Sequence, residues 1–224
     1  MSGMKLVIGN KAYSSWSMRG WLAVRQSGLP FEEVVVPIYQ PGWETRRLEA
    51  DLAPSAGRVP MLWDGAIAVW ESLAIVDHLA ERAGAHLFWP DDAAARGHAR
   101  AISAEMHAGF GELRRTHATN YRRTFPAAPL SERVAADLAR VQALWAQARA
   151  LRTVDGPFLY GAFGAADIMY APVVSRIHTY DLPVSADARI YCEAIRAHPF
   201  VSQWYDDAAA EPWTIDRYEH GAIA

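Results

Sequence analysis

The chain has 224 residues, 51% hydrophobic and 21% charged, a globular composition long enough to bury its own core in one large or two modest domains. A net charge of −3 gives no electrostatic footprint for nucleic acid and no polybasic patch for a membrane surface. The single cysteine, Cys192, excludes an intrachain disulfide and suits a reducing compartment; with no membrane-length apolar run and no apolar leader over Met1–Ile8, a cytoplasmic protein is expected.

Leu6-Val7-Ile8-Gly9 is a short apolar run that predicts a buried strand. Met18, Trp21, Leu22 and Val24 then recur loosely at helical spacing over 17–26, and Gly28 and Pro30 stop that helix. Val34-Val35-Val36 predicts a second strand, and Trp43, Leu48 and Leu52 among charges predict a weak helix over 43–52. Val59 to Trp63, the turn pair Asp64-Gly65 and Ile67-Ala68-Val69 predict a hairpin. Glu71 to Arg82 carries Leu73, Ile75, Val76 and Leu79 on one face of a helix. The order β-α-β-α-β-β-α, with a right-handed crossover between the first two strands, is the thioredoxin-like arrangement.

Residues 84–92 read as a linker, with Asp91 and Asp92 opening the next helix. Beyond it the strand signals vanish. Ile102, Met106, Phe110 and Leu113 share one helical period, and Val134, Leu138, Val141, Trp145 and Ala148 another, with Pro126 and Pro129 between them. Ala166–Tyr180, Asp187–Ala197 and Pro199–Ala210 predict three more helices, so residues 92–224 form an all-helical domain after a thioredoxin-like domain over 1–83. Arg114, Arg115, Arg122 and Arg123 cluster locally, as a solvated helix end would. Cys192 reads as a buried helix residue.

Three places in the first half suit a small peptide-like thiol. Ser14-Ser15-Trp16-Ser17 precedes the first helix, where free N–H groups and the positive dipole end stabilise a thiolate, although serines there also serve as ordinary caps. Val59-Pro60 precedes a strand; its backbone would pair with an extended peptide as an added strand does. Glu71-Ser72 opens the third helix and offers an anion for an α-amine beside a helix-terminal carboxylate site.

Ser14 to Arg19, Gly57 to Leu62, Asp64-Gly65, Glu71 to Ile75 running on to His78-Leu79, and Tyr160 to Ile168 together resemble the glutathione transferase superfamily, over essentially the whole chain. The resemblance implies the glutathione transferase fold, a thioredoxin-like α/β domain followed by an all-α domain. It also implies a homodimer that adds the thiol of glutathione to a small electrophile. Residue by residue it makes Ser14 the catalytic serine, with Ser15, Val59, Pro60, Glu71 and Ser72 as glutathione contacts. The electrophile would lie between the domains, against Trp16, His107, Phe110 and Arg114, and an acidic electrophile would suit His107 and Arg114. The local run Ser-Ser-Trp-Ser-Met-Arg is nearest to the zeta class, the maleylacetoacetate isomerases, but Trp16 stands where that class has cysteine. A glutathione-dependent isomerase and a non-catalytic glutathione-binding protein are the alternatives. The absence of cysteine from 1–191 excludes members that form mixed disulfides with glutathione. The eight scattered histidines lack any metal-ligand spacing, so no metal is expected. Gly164 stands where the family usually has Ser or Thr, leaving Asp167 to supply half of a capping box.

Overall fold

The structure is a computed structural model that describes residues 3–222; Met1, Ser2, Ile223 and Ala224, at the outer ends of the two expected domains, lie outside the described residues. Four strands form one mixed sheet in the order β2-β1-β3-β4: β1 (Met4–Gly9), β2 (Phe31–Val36), β3 (Met61–Asp64) and β4 (Ile67–Trp70). β1 runs parallel to β2, with Val7 opposite Val34, and antiparallel to β3, with Val7 opposite Met61. β1 is central, and Leu6, Val7 and Ile8 are all fully buried. Alternate side chains of a strand point to opposite faces. Leu6 and Ile8 therefore join the main core with α1 (Ser15–Ser27) and α3 (Ser72–Ala83), while Val7 joins Val36, Trp43, Leu52 and Met61 in a second, smaller core. A continuous apolar run is what a strand covered on both faces requires.

The connection between β2 and β3 differs from the expected helix over 43–52. Only α2 (Trp43–Arg46) is helical, and the chain continues through turns and a single tight helical turn at Ala53–Ser55. Trp43 and Leu52 bury against the sheet, and the Arg46–Asp51 fork at 2.7 and 2.8 Å draws the intervening residues into a loop.

Residues 84–92 are packed rather than loose. Ala85–Leu87 forms a tight helical turn, Phe88 and Trp89 are buried, and Asp92 caps the next helix by accepting from the Ala95 N–H at 2.8 Å. The helical region comprises α4 (Ala93–Ala108), α5 (Gly111–Thr116), α6 (Glu132–Ala150), α7 (Ala165–Thr179), α8 (Ala186–Ala197) and α9 (Pro199–Ala210). α7 is buried almost all round, which marks a helix at the centre of a bundle. Cys192 is buried in α8, and its surroundings push its thiol up to about 12. The single period through Ile102, Met106, Phe110 and Leu113 is broken: Phe110 adopts φ 58, so α4 ends at Ala108 and α5 starts afresh.

At the head of α7 Asp167 accepts from the Gly164 N–H at 3.0 Å, so its half of the capping box is present. Gly164 has a steric reason of its own. The Ala165 N–H donates to the Phe88 carbonyl at 2.8 Å, and a Cβ on Gly164 would lie 2.7 Å from that same oxygen. A serine cap would need the space that the linker backbone fills.

Candidate functional site

Ser14 is the N-cap of α1. Its backbone is extended and its Oγ accepts from the Ser17 N–H at 3.2 Å. The Ser14 and Ser17 hydroxyls share a hydrogen bond of 2.8 Å, and Ser17 Oγ also accepts from the Gly9 N–H at 2.9 Å. The serine run therefore ties the end of β1 to the start of α1, and Ser14 keeps a face on a cavity. Gly20, one and a half turns further along α1, has Pro60 against it: a Cβ there would meet the proline ring at 2.7 Å. That close approach sets Pro60, and with it Val59, beside the helix that begins at Ser15.

The Val59-Pro60 bond is cis. Val59 is half-buried, and neither of its backbone polar groups has a hydrogen-bond partner among the described residues. Glu71 stands at φ 68, ψ 124, just before the first residue of α3. A non-glycine residue is rarely found there, and such strain persists only where the surroundings impose it. The Ser72 side chain is fully buried. Ser14, Val59, Pro60, Glu71 and Ser72 all line one cavity of about 440 Å³, within the range of small-molecule sites. Its far wall brings in Tyr39, Trp43, Arg47 and Arg58, which sequence reasoning missed as site residues. Arg47 holds a buried Nε without a partner among the described residues; in the sequence it falls in the stretch expected to be a weak helix and carries no signal of its own.

A second cavity of about 450 Å³ adjoins the first and shares Ser14, Trp16, Ile38 and Tyr39 with it. Ser15 opens onto this cavity rather than the first. Of the four candidates for the electrophile wall, Trp16 and Arg114 line it. His107 instead stands edge-on to Trp16, with ring centroids 5.2 Å apart, and its Nε2 reaches Glu71 at 3.3 Å. Burial lowers its pKa, the Glu71 carboxylate raises it, and the guanidiniums of Arg19 and Arg114 lower it further. Phe110 is buried in the main core and lines neither cavity.

The expected solvated basic cluster divides in two. Arg115 and Arg123 are exposed and pair with Glu112 and Glu219. Arg114 and Arg122 turn inward. Arg114 stacks 4.7 Å from the Trp16 ring and donates to the carbonyls of Met106, His107 and Gly109. Those carbonyls lie at the end of α4, where intrahelical donors have run out. Arg122 donates to the carbonyls of Glu211 and Trp213 and to the Tyr13 hydroxyl. Tyr13 in turn donates to Glu219 at 2.6 Å, so its hydroxyl is committed to holding the C-terminal segment against the loop.

Residues 13–82 match the family described as glutathione S-transferase, N-terminal domain. Solved structures extend the likeness to more than nine-tenths of the chain. A glutathione transferase homolog from Burkholderia (BGR1) with bound glutathione is 21% identical with a TM-score of 0.69, covering 93% of this chain and 99% of that one. The theta class glutathione S-transferase of Xanthomonas axonopodis pv. citri, also with glutathione bound, is 22% identical with a TM-score of 0.64, covering 92% and 98%. The tau class enzyme of mango, Mangifera indica, is 18% identical with a TM-score of 0.66, covering 93% and 96%. At these identities the likeness shows the fold, which is that of glutathione transferases. No curated protein matches the chain.

Proposed function

We propose that the chain is a glutathione transferase, in which residues 1–83 bind glutathione in the first cavity and the helical region, 92–224, walls the site of an electrophile in the second. The observation that carries this reading is the position of Ser14, a helix N-cap at the junction of two cavities. A sulfur held there meets the positive end of α1 and a hydroxyl at once.

Ser14 works as a hydrogen-bond donor to the sulfur rather than as a nucleophile. Ser17 Oγ already receives the Gly9 N–H. Its own proton is free to turn toward Ser14 Oγ, 2.8 Å away, which releases the Ser14 proton toward the cavity. Lowering the thiol pKa by about two units corresponds to about 2.7 kcal/mol in favour of thiolate. The thiolate then forms the new sulfur–carbon bond, and the electron pair displaced from that carbon leaves with a leaving group or moves to a neighbouring atom that takes up a proton. The backbone of Val59, unpartnered among the described residues, pairs with the cysteinyl backbone. The Ser72 hydroxyl and the first amides of α3 receive the γ-glutamyl carboxylate, and Glu71 receives its α-amine.

Calorimetric titration with glutathione, followed by turnover with chlorodinitrobenzene, tests the reading. Binding that weakens in Glu71→Ala and Ser72→Ala, together with glutathione-dependent chloride release, is expected. No binding at millimolar glutathione would overturn it.

A further inference from the structure

The second cavity has an unusual charge balance. Arg114, Arg115, Arg176 and Arg217 line it, and among the described residues no carboxylate does. Arg115 is compensated by Glu112 at 3.1 Å. The other three have no carboxylate within ion-pair distance among the described residues, and neither does Arg19, which lies 4.7 Å from the Trp16 ring. Arg176 is only 4% exposed, and its hydrogen-bond partners are neutral: Nε donates to the His117 carbonyl at 2.7 Å and Nη1 to the Pro172 carbonyl at 3.1 Å.

 A buried cation without a counter-ion is costly, and a guanidinium does not escape by losing its proton. Burial, with repulsion from neighbouring arginines, lowers Arg19 only to about 9, and burial lowers Arg176 only to about 10. Both stay charged at neutral pH. Arg217, from the C-terminal segment, closes the other side and stacks 4.2 Å from the Tyr39 ring.

We propose that this cavity is an anion site, and that the electrophile it takes carries a carboxylate held by Arg176, Arg114 and Arg217. The inference rests on the transferase reading for the reaction, but not for the binding. Guanidiniums recognise carboxylates through paired, charge-assisted hydrogen bonds, and here the incoming anion also supplies the charge that the fold leaves out. Ser14 and Trp16 belong to both cavities, so a carboxylate anchored at the arginines leaves the rest of its carbon framework directed at the sulfur.

Two pairs of probes separate the inference from the reading beneath it. The first is a nitrobenzoate and the matching nitrobenzamide, neither of which reacts, titrated by tryptophan fluorescence. The acid is expected to bind about tenfold or more tightly than the amide, with an advantage that shrinks as salt is added and disappears in Arg176→Gln. Because Arg176 is buried, Arg217→Gln on the surface is the second variant, and it is expected to reduce the same preference. Equal affinities for acid and amide in the wild-type protein would overturn the inference, whatever the protein does with glutathione. The second pair is a chloronitrobenzoate and its amide with glutathione. There the thiolate bonds to the ring carbon and chloride departs with the carbon–chlorine pair. After division by the uncatalysed rates, kcat/KM is expected to favour the acid by a similar factor. An acid preference in binding with no turnover of either compound would overturn the transferase reading and leave the anion site standing.

Discussion

Replacing Ser14 with alanine removes two things that the structure holds in one oxygen. The first is the acceptor for the Ser17 N–H at 3.2 Å, a cap whose loss costs about 1 kcal/mol and lowers Tm by about 2–4 °C in a chain of this size. The protein therefore stays folded at assay temperature. The second is the proposed hydrogen bond to the glutathione sulfur. A hydrogen bond to a charged group contributes about 1.5–3 kcal/mol, which raises the bound thiol pKa by about one to two units when it is lost. The rate does not simply fall. A more basic thiolate is more nucleophilic, with a Brønsted slope of about 0.4–0.5. For a shift of about 1.5 units, the variant is expected to be roughly sixfold slower at pH values below both pKa values and roughly fivefold faster above both. The assay is kcat/KM for chlorodinitrobenzene across the pH range, with thiolate ultraviolet absorbance of the bound glutathione as a direct check. A profile that drops evenly at all pH values, with its inflection unmoved, would refute the role given to Ser14.

Gly164→Ser places a better capping residue at the head of α7 and is nonetheless expected to destabilise the protein by about 1–3 kcal/mol, because its Cβ would meet the Phe88 carbonyl at 2.7 Å; thermal melts check the sign. Burial depresses the pKa of His117, and the Arg176 guanidinium depresses it further. Its contribution to stability is therefore present above the unfolded value of about 6.5 and is lost as pH falls through the lower folded value. Melts between pH 7 and pH 5 are expected to show that loss, and His117→Phe, which keeps a ring against Tyr180, to flatten part of it. Arg122→Ala removes the donors to the Glu211 and Trp213 carbonyls, and hydrogen exchange is expected to accelerate in 211–220 while α7 keeps its protection.

The fold was legible where one physical demand dominated. Leu6-Val7-Ile8 reads as a strand because both faces of a central strand are covered, and Gly28 reads as a helix stop because it ends α1 in the left-handed region at φ 67. The break after α4 was not legible. The apolar period runs through Phe110 without interruption, and nothing in a phenylalanine announces φ 58. The same break turned Arg114 inward: once α4 stops at Ala108, its last carbonyls need donors, and Arg114 supplies them. The apparent surface arginine was thereby a consequence of a turn that the periodicity concealed. Gly164 was legible as a departure from the expected cap but not as a necessity, since the obstructing oxygen belongs to Phe88, 76 positions earlier in the chain.

The candidate site divides along the same line. Ser14, Val59, Glu71 and Ser72 could be proposed together from their spacing, because Ser14, Glu71 and Ser72 sit where a helix begins and Val59 where the chain enters β3, and all four line one cavity. Of the cationic cluster beside it only Arg114 could, through the family resemblance; Arg19, which lies behind Trp16 and lines neither cavity, and Arg176 could not. Arg19 is on α1, Arg114 on α5 and Arg176 on α7, and only the packing of the helical region against α1 brings them near one another. That packing is itself anchored by one of them, since Arg19 donates to the Met169 carbonyl at 2.9 Å. A guanidinium used to join two helices through a neutral carbonyl keeps its whole charge. With Arg114 and Arg176 also bound to carbonyls, the scaffold is held together in a way that leaves its positive charge uncancelled beside Trp16, which is where an anionic electrophile would have to lie to reach a sulfur at Ser14.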